Sequence, residues 1–261
     1  MDNQLYYRHR FRQYVGGKEE VKEMRKLLII VLAVFLMGCA YQIKVNDFGA
    51  TNLENGMKSL VVIRTEGLIK DAFDKDIREA IAVPIGNGLV LALSHATTTL
   101  PYVVMRTIFE TIAKPRTVLQ TKWFIGDKEI ELIGRKDDIS LFRADIPAYP
   151  FGFGDSEIVR AGDKIVLIGY PYLKAICVRV GVVANPKYIS KAGFDFNPNL
   201  KAPAMLLNLA ASPGDSGGVV MTYQNGALKI IGIEAARLGH NGTAIAYRSK
   251  YVQECIDEIL K

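Results

Sequence analysis

The chain has 261 residues and a mass of 28.9 kDa, enough for one large domain or two small ones that share a core. Hydrophobic residues make up 49% and charged residues 23%, which excludes a disordered or fibrous chain; three cysteines and three histidines exclude a disulfide-stapled scaffold and a histidine-rich metal site. Half of the formal net charge of +6 sits in residues 1–38, and what remains is too small an excess to argue for a nucleic-acid partner.

No apolar run reaches the ~18–20 residues that a membrane-spanning helix needs. The longest, residues 27–38, follows Arg25-Lys26 and ends in Leu36-Met37-Gly38-Cys39. A basic stretch, a short apolar core and a small residue make a secretory signal, here expected over residues 24–38. The ending resembles the bacterial lipobox, which implies lipidation of Cys39 and a mature protein anchored by its acyl chains on the non-cytoplasmic side of a membrane, periplasmic or extracellular. Residues 1–23 then read as translated leader ahead of a start at Met24, or as a short tail. The polar, glycine-containing stretch 39–58 reads as a tether.

From Ser59 onward, short β-branched apolar runs are cut by glycine, proline and asparagine. Leu60-Val61-Val62-Ile63, Leu89-Val90-Leu91-Ala92-Leu93, Lys164-Ile165-Val166-Leu167-Ile168 and Lys229-Ile230-Ile231-Gly232-Ile233 are expected strands. Turn signals stand at Gly86-Asn87-Gly88, Asn185-Pro186 and Gln224-Asn225-Gly226. The spacing predicts an all-β barrel or sandwich, and no alternation with long helices supports a doubly wound sheet. Two helices are expected, over residues 98–113 and 249–260; the second places Tyr251, Val252, Cys255, Ile256, Ile259 and Leu260 on one face. Cys177 and Cys255, one in a strand and one in the last helix, are open to pairing outside the cytoplasm or to standing as two free buried thiols, the second being the expectation.

The chemistry concentrates in Ser212-Pro213-Gly214-Asp215-Ser216-Gly217-Gly218. A serine between glycines can sit on a sharp turn with its hydroxyl exposed, beside backbone N–H groups free to bind an oxyanion. Gly-x-Ser-x-Gly also fits the nucleophile elbow of α/β-hydrolases, but an elbow serine opens a helix. Ser216 is followed by strand-like Val219-Val220-Met221, and the only later histidine, His240, is too close.

The Gly-Asp-Ser-Gly-Gly motif resembles the nucleophile loop of trypsin-like, chymotrypsin-fold serine proteases. In that family histidine and aspartate precede the serine. Only His95 of the mature chain does so; it closes the strand after Gly86-Asn87-Gly88, as in the bacterial high-temperature-requirement (Deg-type) proteases. The family's Asp-aliphatic-small-Leu pattern fits Asp138-Ile139-Ser140-Leu141, which leaves Asp137 as a solvated neighbour. Ala161-Gly162-Asp163 through Gly169-Tyr170-Pro171 is similar to the segment opening the second barrel, and Ile231-Gly232-Ile233 and Gly242-Thr243-Ala244-Ile245 to its closing strands.

The resemblance implies two six-stranded antiparallel β-barrels, over 59–150 and 151–248, and a C-terminal helix, 249–261. It implies a lipid-anchored serine endopeptidase acting on polypeptide substrates through His95, Asp138 and Ser216, with the N–H groups of Gly214 and Ser216 as oxyanion hole and with no metal or cofactor. Counting back from Ser216 puts Ala210 at the floor of the primary substrate pocket, with Ala235 and Arg237 on its wall. Two departures stand out. Asp215 replaces the usual asparagine, and where trypsins pair this aspartate with a freshly cut N-terminal amine, a lipidated Cys39 offers none. An apolar insert at 98–116 follows His95, expected as a helix packed on the barrel, or as a lid or membrane-touching element beside the cleft. The alternatives from other classes are an esterase or amidase with the same machinery, and a latent protease-like module that binds peptides or senses envelope stress.

Overall fold

The strands that read as unbroken apolar runs are apolar because both of their faces are covered. In the computed structural model, Val90 and Ala92 face a barrel interior, yet Leu91 and Leu93, which alternate with them, are also fully buried. The same holds for Ile165 and Leu167 against Val166 and Ile168. The structure describes residues 48–69, 76–99, 102–106, 111–115, 117–147, 149–190, 201–238 and 243–261, with backbone alone for 102–106 and 111–115. The leader, the signal segment and Cys39 lie outside the described residues. No described helix is long and apolar enough to cross a membrane.

Fourteen strands are described, β1 (Val61–Ile69), β2 (Asp76–Gly86), β3 (Leu89–Leu93), β4 (Tyr102–Arg106), β5 (Thr111–Pro115), β6 (Val118–Ile125), β7 (Lys128–Lys136), β8 (Ile139–Arg143), β9 (Lys164–Gly169), β10 (Cys177–Ser190), β11 (Ala202–Ala210), β12 (Val219–Gln224), β13 (Ala227–Leu238) and β14 (Thr243–Arg248). Two closed antiparallel barrels result, in the orders β1-β2-β3-β8-β7-β6 and β10-β11-β14-β13-β12-β9. Both belong to one compact unit, Lys44–Lys261. Ile63, Ala82, Val90, Ala92 and Phe142 fill the first barrel; Ile165, Leu167, Met205, Leu207, Val220 and Ile231 fill the second. The Asn87-Gly88 and Asn225-Gly226 turns adopt the positive φ that two-residue hairpins require.

Two helices strap the barrels. α1 (Ala50–Ser59) takes up residues 50–58 of the expected tether, which are helix rather than extended linker. It buries Leu53 and Gly56 against the second barrel: a Cβ on Gly56 would stand 2.8 Å from Tyr149 Oη and 2.9 Å from Ile168 Cδ1. Just before it, the Phe48 ring stacks on Tyr223 at 6.0 Å, and the Tyr223 hydroxyl donates to the Phe48 carbonyl at 3.1 Å. α2 (Ser249–Ile259) leaves the second barrel and lies against β7 and β8 of the first. Val252, Cys255 and Ile256 are buried beneath it, as expected, whereas Leu260 is exposed.

Two further expectations are corrected. The described part of residues 98–113 is strand rather than helix: β4 and β5 pair as a separate two-stranded sheet, from Tyr102 opposite Pro115 to Arg106 opposite Thr111. Tyr102-Val103-Val104 and Thr111-Ile112 are aromatic and β-branched, and their stiff χ1 angles favour strand over helix. Asn185-Pro186 is not a turn either. It lies inside β10 where the register with β11 slips, and such a bulge tolerates the missing N–H of proline. Cys177 and Cys255 are both free; Cys255 is buried and Cys177 only partly so.

Candidate active site

Strand pairing brings the two halves of the first constellation together. β3 pairs with β8 so that Leu93 stands opposite Ile139, which sets the turn after one strand beside the turn before the other. The Ser94 N–H donates to the Asp138 carbonyl at 2.7 Å across this junction. The turn carrying His95 is pinned from three sides: Thr97 N–H and Oγ1 bond the Leu93 carbonyl, at 3.1 and 2.9 Å, and Trp123 Nε1 donates to the Thr97 carbonyl at 2.8 Å.

The Asp138 carboxylate has no solvent exposure, and every group around it donates. The His95 backbone N–H lies 2.9 Å from Oδ1, and His95 Nδ1 lies 2.8 Å from Oδ2 and 3.0 Å from Oδ1. The Tyr247 hydroxyl, from β14, reaches Oδ2 at 3.1 Å. Burial, reinforced by the Asp138 charge, pushes the Tyr247 phenol far up, so that it stays a donor. Asp137, at φ 50°, turns the other way; its Oδ2 accepts from the Tyr251 hydroxyl of α2 at 2.9 Å, so it is a tie to that helix rather than a solvated neighbour. Tyr247→Phe keeps the buried ring and removes one donor from a carboxylate. It should cost about 1–3 kcal/mol of stability and lower turnover several-fold, read by thermal melting beside kcat.

The second constellation is the loop between β11 and β12. Gly214 and Gly217 hold φ 95° and 96°, and each also has no room for a side chain. A Cβ on Gly214 would stand 2.5 Å from the Tyr170 carbonyl, and one on Gly217 would run into the Ile81 carbonyl. The loop is clasped by β13: Gly217 N–H donates to the Glu234 carbonyl and Glu234 N–H to the Gly218 carbonyl, both at 2.8 Å. The Pro213 carbonyl accepts from the Tyr172 N–H at 2.5 Å. Because the peptide is planar and trans, the Gly214 N–H points the opposite way. Neither that N–H nor the Ser216 N–H enters a backbone bond among the described residues. The Ser216 hydroxyl donates to the Ala235 carbonyl at 3.3 Å.

His95, Gly214 and Ser216 share one cavity of about 530 Å³. Its walls are Ile77, Arg78, Glu79 and Ala80 of β2, together with Ala96 and Leu173. This cavity runs along β2 of the first barrel. The residues expected around the primary substrate pocket stand outside it: Ala235 is buried and meets Ser216 through its carbonyl, Arg237 is exposed, and the Ala210 carbonyl is taken by Arg179 Nη1 at 2.8 Å.

Asp215 is fully buried and has found its cation. Arg179 Nη2, from β10, stands 2.5 Å from Oδ1 without hydrogen-bond alignment, and the Ser212 N–H donates to Oδ2 at 2.6 Å. Beside them Glu234 is buried, its carboxyl raised well above the usual range by burial and then by the Asp215 charge, with Arg179 opposing. Tyr247, Arg179 and Glu234 are the residues that sequence reasoning missed. Their one signal is a lone polar or charged residue inside an apolar strand, as in Val178-Arg179-Val180 and Ile233-Glu234-Ala235. No group of three or more metal-ligating side chains occurs among the described residues.

No family model matches the chain. Among curated proteins, it is 27% identical over 142 residues to one from Brucella suis biovar 1 named "Probable periplasmic serine endoprotease DegP-like", covering 51% of this chain and 26% of that protein. A protein of the same name from Brucella abortus (strain 2308) matches with the same figures. The chain thus spans about a quarter of the length of these relatives. Among solved structures, an HtrA-type protease AlgW with a tripeptide superposes with a TM-score of 0.59 at 19% identity, covering 81% of this chain and 63% of that one. The active form of the Rv3671c protease from M. tuberculosis gives a TM-score of 0.60 at 13% identity, covering 83% and 87%. The two barrels and the C-terminal helix are therefore those of the trypsin-like fold of HtrA-type proteases.

Proposed function

We propose that the chain is a serine endopeptidase that cleaves polypeptides through an acyl-enzyme, anchored by lipid at Cys39 on the non-cytoplasmic side of an envelope membrane. One observation carries the catalytic part: His95, paired with Asp138, shares a cavity with Gly214 and Ser216, whose backbone N–H groups no described backbone group takes up. Held at Nδ1 by Asp138, the imidazole keeps its proton there and leaves Nε2 as the base. It takes the Ser216 proton as the hydroxyl attacks an acyl carbon, and returns it to the leaving group. The Gly214 and Ser216 N–H groups hold the developing oxyanion, each worth roughly 3 kcal/mol. The relatives' names support the periplasmic, peptide-directed part of this reading. The lipid part rests on Leu36-Met37-Gly38-Cys39 alone.

The test is fluorophosphonate labelling of the full chain, followed by matched peptide and ester substrate panels. Labelling with peptide turnover supports the proposal; labelling with ester turnover alone makes the protein an esterase. A folded chain that takes no label overturns the catalytic reading.

A further inference from the structure

Given Ser216 as nucleophile, its loop must be held rigid, and the loop contains a carboxylate that burial penalises. Asp215 has no solvent exposure, and a buried carboxylate without a cation is among the costliest features a fold can carry. The described residues meet it from within the second barrel. The guanidinium of Arg179 spans both parts of the loop: Nη1 donates to the carbonyl of Ala210, where β11 ends and the loop departs, and Nη2 lies against Asp215 Oδ1. The other oxygen, Oδ2, takes the Ser212 N–H, and the Asp215 carbonyl takes the Gly218 N–H.

The recess for this contact is cut by a glycine. A Cβ on Gly169, the last residue of β9, would collide with Asp215 Oδ1 and stand 2.9 Å from Arg179 Nη2. Glu234 is the second carboxyl facing the guanidinium. Burial and then the Asp215 charge raise its carboxyl well above the usual range, which weakens its competition for the guanidinium. Asp215 is the carboxylate in ion-pair contact with Arg179, Oδ1 against Nη2 at 2.5 Å.

We propose that Arg179 is the positioning residue of the nucleophile loop, an internal counter-ion to Asp215 that sets the loop without a freshly cut N-terminal amine. It touches neither substrate nor Ser216. It acts by fixing where Gly214 and Ser216 present their N–H groups.

The experiment compares five full-length chains: wild type, Arg179→Met, Arg179→Lys, Asp215→Asn and the double variant of Arg179→Met with Asp215→Asn. Each is read by the rate of fluorophosphonate labelling, by kcat and KM separately, and by thermal melting. Arg179→Met leaves a buried anion uncompensated and should slow labelling by about 10²-fold, comparable to losing an oxyanion donor. The loss should fall on kcat, with KM little changed. In the double variant a neutral asparagine needs no cation, so labelling should return to within about tenfold of wild type, and the melting shifts should be strongly non-additive. Arg179→Lys, which keeps the charge, should retain more labelling than Arg179→Met. An Arg179→Met chain that labels at the wild-type rate overturns the proposal. So does a folded double variant no faster than Arg179→Met. Failure of the catalytic reading would look different: the wild type itself would take no label. The melting cycle still judges the ion pair in that case, additive shifts overturning it and non-additive shifts supporting it.

Discussion

Ser216→Ala is expected to abolish fluorophosphonate labelling and to cut peptide or ester hydrolysis by about 10⁴–10⁶-fold, with the fold unchanged. The size follows from what is removed: the attacking atom goes, while the oxyanion donors and the binding surface stay. The fold should survive because the hydroxyl makes one long bond, 3.3 Å to the Ala235 carbonyl, and the loop is held by its backbone through Glu234 and Asp215. Labelled fractions beside thermal melts check both halves. Label persisting in a folded Ser216→Ala chain would mean that another residue reacts.

Asp138→Asn should lower kcat by about 10⁴-fold. Three donors converge on this carboxylate: the His95 backbone N–H, His95 Nδ1 and the Tyr247 hydroxyl. An asparagine offers one oxygen and one NH₂. Turned to accept from the His95 backbone N–H, it sets its NH₂ where Oδ2 stood, 2.8 Å from the imidazole, and forces the tautomer with its proton on Nε2, which cannot then act as base. Turned the other way, it confronts the His95 backbone N–H with a donor, and the orphaned buried group costs about 1–3 kcal/mol of stability. Asp137→Asn is the control, because Asp137 serves Tyr251 in α2 and should change turnover little. Steady-state kinetics on the two variants decides between the aspartates, and a larger loss at Asp137 would reverse their assignment.

How far these residues could be read without coordinates depends on the range of the forces that place them. The barrel strands announce themselves because burial on both faces leaves runs such as Lys164-Ile165-Val166-Leu167-Ile168 almost free of polar residues. Asn87-Gly88 and Asn225-Gly226 are legible because positive φ is a local demand. The β4–β5 pair misleads because Val104, Ile108 and Ile112 fall at helical spacing in the sequence, while what makes Val104 and Ile112 strand is cross-strand pairing, which no such spacing registers. α1 hides for the opposite reason: its buried face is only Leu53 and Gly56, too little to show as an apolar stripe. Arg179 is invisible as a partner of Asp215, since only the pairing of β10 with β9 carries it to the loop. The cavity walls on β2 were missed because motif spacing around Ser216 speaks only for the second barrel.

The two helical straps run in opposite senses. α1 leads into the first barrel while covering the second; α2 leaves the second while covering the first. Each barrel therefore lends its sister a piece of its own roof. A chain cut near residue 150 would not yield two self-sufficient halves. The N-terminal piece would bare the Leu53–Gly56 face together with the strand surfaces that α2 had sealed, and the C-terminal piece would bare the side of α2 that lies on β7 and β8, Cys255 included. The halves should be recoverable only by re-association, so the barrels melt together as one cooperative body.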